Sequence, residues 1–258
     1  MMKKLYILIA LLLCAAFVFT ACGQKKEAPA AAPTETEASV YATTASGKRI
    51  VEKQGPVEAS WFDDAVIVGD SITLKLSYYC EEHPEALSKA QFFCAGSLSY
   101  NNALWDIDDE NAVHPVYDGE TTLTEECAKK SGASKVFIML GMNDVGVYGA
   151  EGALQAAKEL TDNILALTPD VSIYIESTTP IAEGCEIGDL NNETIREFDK
   201  LLKGFCEENG YMYLDLYSLF QDEKGYLKNE YCSDSEGMGI HFTDTACNMW
   251  ADYLKENV

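Results

Sequence analysis

Val66-Ile67-Val68-Gly69-Asp70-Ser71-Ile72-Thr73 sets an apolar run directly against Gly-Asp-Ser. A short continuous apolar run that ends at a turn signal reads as a buried parallel strand. The serine opens a helical pattern immediately after that strand. It would therefore stand at the carboxyl edge of a sheet, among the unpaired N–H groups of a helix start. Serine is also a common helix N-cap, so the octet by itself does not separate a nucleophile from a cap. Besides 65–69, similar runs lie at 91–95, 135–140, 172–177 and 211–216. Helical patterns separate the later ones. Leu154, Ala157, Leu160, Ile164 and Leu167 keep a spacing of three or four from about 152 to 167, and stop before Pro169. Ile195, Phe198, Leu201, Leu202 and Phe205 form a stripe on a helix from about 191 to 209, with Gly210 as its C-cap. A last helix is expected over about 244–255. Alternating strands and helices predict an α/β fold, a parallel sheet covered by helices on both faces. In such sheets the site forms at the carboxyl ends of the strands.

Three further motifs fall at those ends. Gly96 follows Gln91-Phe92-Phe93-Cys94-Ala95, where a glycine lets a backbone N–H approach a ligand oxygen. Gly141-Met142-Asn143-Asp144 follows the 135–140 run. The Asn143 amide could donate to an oxyanion, although Asn-Asp alone reads as a turn. His241 lies in Gly239-Ile240-His241-Phe242-Thr243, just before the last helix. The other histidines, His83 and His114, each precede a proline in what read as surface loops, so His241 is the best general base.

Taken in order, Gly69-Asp70-Ser71, Gly96, Gly141 to Asp144 and a late His241 followed by Phe-Thr resemble the SGNH hydrolases, also called GDSL esterases and lipases. The resemblance covers roughly 61–254. It implies a flavodoxin-like three-layer α/β/α sandwich with a five-stranded parallel sheet, and no cofactor or metal. It implies Ser71 as nucleophile and His241 as its base. The N–H groups of Ser71 and Gly96 and the Asn143 side chain would form the oxyanion hole. One position departs from the pattern: the acid expected three residues before the histidine is Met238. Asp234 or Glu236 could return to the ring through turns at Gly237 and Gly239, with Asp234 favoured for its shorter side chain. The alternatives are a backbone carbonyl partner and a Ser–His dyad.

The N-terminus reads as an address. Lys3 and Lys4 precede an apolar run from Leu5 to Ala21, then Cys22 and Gly23. That order makes residues 1–21 a secretory signal, and Phe19-Thr20-Ala21-Cys22 resembles a bacterial lipoprotein lipobox with Cys22 as the lipidated residue. Residues 22–55, rich in Ala, Pro, Thr, Glu and Lys, read as a tether, and 56–258 as the folded domain. These readings expect an extracytoplasmic protein held at the membrane through Cys22. The chain carries 19 Lys plus Arg against 42 Asp plus Glu, a formal net charge of −23. It has no basic footprint with which to bind nucleic acid. Cys80 and His83 share a zinc-like spacing without a second ligand pair. Seven cysteines follow Cys22, an odd number, and their pairing is left open. Asp106, Asp108, Asp109 and Glu110 read as a solvated loop. The expected function is a serine esterase acting on an ester, by preference an O-acetyl group on a cell-surface or environmental glycan. Tyr100, Trp105 and Tyr117 are candidate sugar-stacking rings. An acyltransferase to cell-wall sugars and a non-catalytic glycan-binding lipoprotein are the alternatives.

Overall fold

The structure is a computed structural model and describes residues 50–258. The expected leader, the candidate lipidation residue Cys22 and most of the expected tether lie outside the described residues. In chain order the strands are β1 (Ala65–Gly69), β2 (Gln91–Cys94), β3 (Val116–Tyr117), β4 (Glu120–Thr121), β5 (Lys135–Met139), β6 (Ser172–Glu176) and β7 (Met212–Leu214). The helices are α1 (Ser71–Glu82), α2 (Cys127–Ser131), α3 (Met142–Leu167), α4 (Asn192–Asn209), α5 (Leu216–Phe220) and α6 (Asp244–Asn257).

Five strands form one parallel sheet in the order β2-β1-β5-β6-β7. β3 and β4 make a separate small antiparallel hairpin. Every residue of β1 and β6 is buried, as expected of strands covered on both faces. Phe137 and Tyr174 are register partners on β5 and β6, and their rings stack at 4.4 Å. The chain winds from β1 outward to β2, then returns past β1 to continue through β5, β6 and β7. Right-handed crossovers in opposite directions put α1 and α6 on one face and α3 and α4 on the other. The reversal lies between β1 and β5. There α1 and α3 leave the sheet on opposite sides and open a crevice at its carboxyl edge.

The element boundaries differ from the expected ones for local reasons. β7 ends at Leu214 because the Asp215 side chain accepts from Ser218 N at 2.9 Å and caps α5, converting the end of the apolar run into a helix. α3 starts at Met142, ten residues before the periodic pattern. The pattern is broken at Gly149 (φ +67°, ψ 175°), and only the segment after that break shows the clean apolar stripe. Asn143 and Asp144 therefore belong to a helix start, not to an isolated turn. α4 runs as expected. Asn191 Oδ1 accepts from Glu193 N and Thr194 N, and Gly210 closes the helix in the left-handed region at φ +76°. Residues before Pro56 are packed as well: Val51 N donates to Gly210 O, and Gln54 N and Gly55 N donate to Val258 O.

Glu176, the last residue of β6, is fully buried, and Trp250 Nε1 donates to its Oε2 at 2.5 Å. Burial pushes this carboxyl up to about 8, against the opposing pull of the Trp250 bond. Buried Asp199 and Asp144 are displaced in the same direction, also by burial. The unfolded chain releases the Glu176 proton near its ordinary 4.5, whereas the folded chain keeps it until about 8. Stability present at low pH is thus lost as pH rises through that window, at up to about 1.4 kcal/mol per pH unit for one proton. Thermal unfolding measured across the window should show Tm falling toward pH 8. Glu176→Gln, neutral and of the same shape, should flatten the decline; an unchanged slope would exclude Glu176 as its source.

Candidate active site

The Gly-Asp-Ser turn divides two tasks between neighbours. Asp70, not Ser71, caps α1: its Oδ1 accepts from Ile72 N at 2.9 Å. Burial pushes the Asp70 carboxyl up to about 7, and the Ile72 and Thr73 N–H groups pull the other way. Ser71 is then the first helical residue, and its hydroxyl is free for other chemistry. Its Oγ lies 3.0 Å from His241 Nε2, across 170 positions of sequence.

His241 is held by a closed loop. Cys232 and Phe242 form an antiparallel bridge, so residues 233–241 leave and return at one point. Ser233 N donates to His241 O at 2.8 Å. Inside the loop Asp234 accepts four times with its side chain. Oδ1 takes Ile240 N at 3.0 Å, His241 N at 3.1 Å and the Cys232 thiol at 3.4 Å, and Oδ2 takes His241 Nδ1 at 2.7 Å. The Asp234 carbonyl also accepts from Gly237 N and Gly239 N. Partial burial raises the Asp234 carboxyl, but its bonds to the His241 ring and backbone outweigh that and hold it below its usual range. With its proton on Nδ1 and directed at Asp234, the ring presents Nε2 to Ser71 as an acceptor.

Of the two acids considered for this task, the structure brings Asp234 to the ring; Glu236 and Met238 are exposed along the loop. Gly239 makes the return tight. It has φ +68°, and a β-carbon there would fall 2.5 Å from Cys185 Cβ. Its carbonyl accepts from Ala182 N at 2.8 Å, which pins the loop to the segment after β6.

The opposite wall comes from β2 and α3. Gly141 (φ +123°) opens α3, where a β-carbon would lie 2.5 Å from the Phe198 ring. Asn143 follows in the first turn. Its Nδ2 donates to Leu98 O at 3.0 Å and stands 3.5 Å from Asp70 Oδ2, the outer limit of a hydrogen bond. One amide hydrogen is thus committed and the other is weakly held. Asp144 is fully buried and accepts from Tyr100 N, Asn101 N and Asn101 Nδ2 at 2.8–2.9 Å, clamping the segment after β2 against α3. Ala95 N donates to Gly69 O, so Gly96 sits one residue beyond the end of the β1–β2 ladder. Gly96 is exposed, and a β-carbon there would meet no protein atom within 4 Å.

In the sequence Asp70 stands only as part of the motif and Asp144 as part of a turn, and nothing marks the Leu98 carbonyl. Both acids are visible beside Ser71 and Asn143, but their roles depend on burial, which no local pattern encodes. Two stacking candidates are corrected. Tyr100 has no exposed surface and packs edge-on to Phe198, so it cannot meet a sugar. Tyr117 stacks on Phe93 at 4.6 Å and donates its hydroxyl to Gln91 Oε1. Trp105 keeps an exposed face. His114 is corrected too: both its ring nitrogens are buried without a partner, so it is not a solvated loop residue. His83 stacks on Tyr79. The seven described cysteines are free thiols, and among the described residues no cluster of His, Cys, Asp or Glu could hold a metal ion.

Comparison with known proteins agrees with this geometry. Residues 67–246 match the GDSL-like Lipase/Acylhydrolase family. No curated protein sequence matches the chain. A GDSL-like lipase from Bacteroides thetaiotaomicron superposes with a TM-score of 0.58 at 15% identity, covering 75% of this chain and 86% of its own. A lipase/acylhydrolase from Enterococcus faecalis gives 0.53 at 13%, covering 74% and 93%. A carbohydrate esterase of family 3 from Talaromyces cellulolyticus gives 0.50 at 15%, covering 74% and 94%. At such identities the superpositions speak for the fold, while the match over 67–246 reaches further: the chain belongs to the GDSL-like lipase/acylhydrolase family and is an ester hydrolase.

Proposed function

We propose that Ser71, His241 and Asp234 form the catalytic triad of this hydrolase. The observation that carries the assignment is the continuous hydrogen-bonded line from Ser71 Oγ to His241 Nε2 (3.0 Å) and from His241 Nδ1 to Asp234 Oδ2 (2.7 Å). As Ser71 Oγ attacks the ester carbonyl carbon, its proton passes to Nε2, and Asp234 stabilises the imidazolium that forms. The carbonyl oxygen becomes an oxyanion between the Ser71 and Gly96 N–H groups and the second Asn143 amide hydrogen. Collapse breaks the bond to the alcohol, and Nε2 returns the proton to the departing oxygen. The acyl group is left on Ser71. Water, deprotonated by His241, attacks it, releasing the acid and restoring Ser71.

The substrate class in this proposal is an O-acetyl ester on a glycan outside the cytoplasm, with the enzyme tethered through Cys22. Support comes from the signal-like Leu5–Ala21 run that ends at Cys22, and from the open, partly aromatic surface beside Ser71. One solved structure of similar fold is a carbohydrate esterase, which is in keeping with this substrate class.

Hydrolysis of acetyl esters, followed by acid release, is the direct assay. Ser71→Ala should abolish it, by at least about 10³-fold. Asp234→Asn should lower kcat by about 10²–10⁴-fold with the fold intact, because the wrong tautomer is then favoured. Glu236→Ala should remain near wild type; if instead it matches Asp234→Asn, the assignment of the acid is wrong. Asn143→Ala should cost about 10²–10³ in kcat, the loss expected for one preorganised donor, and a loss below about threefold removes Asn143 from the oxyanion hole.

The pH profile follows from the same line of bonds. Nε2 must be unprotonated to accept from Ser71, so activity should be lost toward the acid side. Asp234, held as a carboxylate below its usual range, should add no separate acid limb above that fall. A kcat/KM profile from pH 4 to 9 in wild type and Asp234→Asn checks this.

A further inference from the structure

One face of α1 carries a stripe that the chemistry above does not use. Ser71, Leu74, Lys75 and Tyr78 fall at i, i+3, i+4 and i+7, so they line up along the helix. Opposite them stand His241 and the first residue of α6, Asp244. Together they enclose an open groove of about 550 Å³ with Ser71 at one end, within the range of ligand sites.

Proton transfer decides which half of an ester this groove receives. The groove is lined by His241, and neither Gly96 nor Asn143 is among its lining residues. The departing alcohol must take its proton from His241 Nε2. Its oxygen therefore lies within hydrogen-bond reach of that nitrogen, and the rest of the alcohol continues on the same side, along α1.

The lining narrows the chemistry of that alcohol. Tyr78 is 54% exposed, so its ring face is available to a ligand. Beside it on the same stripe, Lys75 Nζ donates to Asp244 Oδ1 at 2.5 Å, and both side chains remain accessible. The pair is neutral as a whole, yet keeps unused donors on the ammonium and an acceptor on the second carboxylate oxygen. An alkyl chain would strand those polar groups, and an anionic alcohol would meet a chain of net charge −23. A neutral sugar satisfies both, with hydroxyls on the ion pair and an apolar ring face on the tyrosine. Seven residues of helix separate Ser71 from Tyr78, about 10 Å at the helical rise. That span exceeds one pyranose ring.

We propose that this groove is the alcohol subsite and that it takes a neutral oligosaccharide, with Lys75 and Asp244 binding the acylated ring and Tyr78 stacking on the next one. The proposal rests on the Ser71–His241 reading, and the test separates the two. Hydrolysis of ethyl acetate, O-acetylglucose and O-acetylcellobiose is compared in wild type, Tyr78→Ala and Tyr78→Phe. Wild type should favour the cellobiose ester over the glucose ester through a lower KM. Tyr78→Ala should raise KM for the cellobiose ester about tenfold, the equivalent of one aromatic contact, and erase that preference. Tyr78→Phe, which keeps the ring, should retain it. No preference for the disaccharide in wild type, or an equal loss on all three esters in Tyr78→Ala, overturns the subsite. Labelling of Ser71 by a serine-directed phosphonate is read in parallel. If Ser71 is labelled while the sugar preference is absent, the subsite alone fails. If Ser71 is not labelled, the nucleophile assignment fails and the subsite fails with it.

Discussion

A single carboxylate organises the working part of this molecule. Asp234 accepts the Nδ1 proton of His241 and, with its other oxygen, the backbone N–H groups of Ile240 and His241. The same side chain therefore shapes the loop and orients the ring that the loop carries. Bonds from several donors to one charged acceptor are individually stronger than neutral ones and fix geometry as well as energy. His241 is thereby held relative to α6, whose own start is capped by Thr243. Ser71 is held independently, by the Asp70 cap at the head of α1. The 3.0 Å contact between the two side chains is where these separately braced elements meet.

The sheet supplies the frame. Ser71 and Asn143 begin the two helices that diverge at the switch between β1 and β5, and parallel-sheet topology makes that crevice unavoidable. What the fold does not supply is the fine placement of the segment after β2. Buried Asp144 does this by gripping the backbone of Tyr100 and Asn101, while Asn143 takes the Leu98 carbonyl. The energetic cost of burying Asp70, Asp144 and Glu176 is visible in their upward-shifted carboxyls. These groups trade stability at higher pH for a fixed arrangement at the carboxyl edge.

Much of this was legible in the chain. Continuous apolar runs located all five sheet strands, because buried parallel strands have little room for polar residues. Ser71, Gly96, Asn143 and His241 were legible as an ordered set at successive strand ends, and the structure brings them to one edge. The acid was legible only as a choice between Asp234 and Glu236. The usual spacing is occupied by Met238, and the return of Asp234 depends on a turn at Gly239 pressed against Cys185, a contact made across more than fifty residues. Tyr100 misled for a related reason: an aromatic residue in a long polar segment suggests a surface, whereas Asp144 draws that backbone inward and buries the ring. The start of α3 was hidden by Gly146 and Gly149, which interrupt the periodic signal close to Asn143.

The arrangement turns on the hydrogen bond from His241 Nδ1 to Asp234 Oδ2. A strongly hydrogen-bonded imidazole proton protected from exchange gives a far-downfield line in the proton NMR spectrum. Such a line is expected in wild type, absent from His241→Ala and Asp234→Ala and retained in Glu236→Ala. A line that survives unchanged in Asp234→Ala would contradict it, because some other group would then be orienting the histidine.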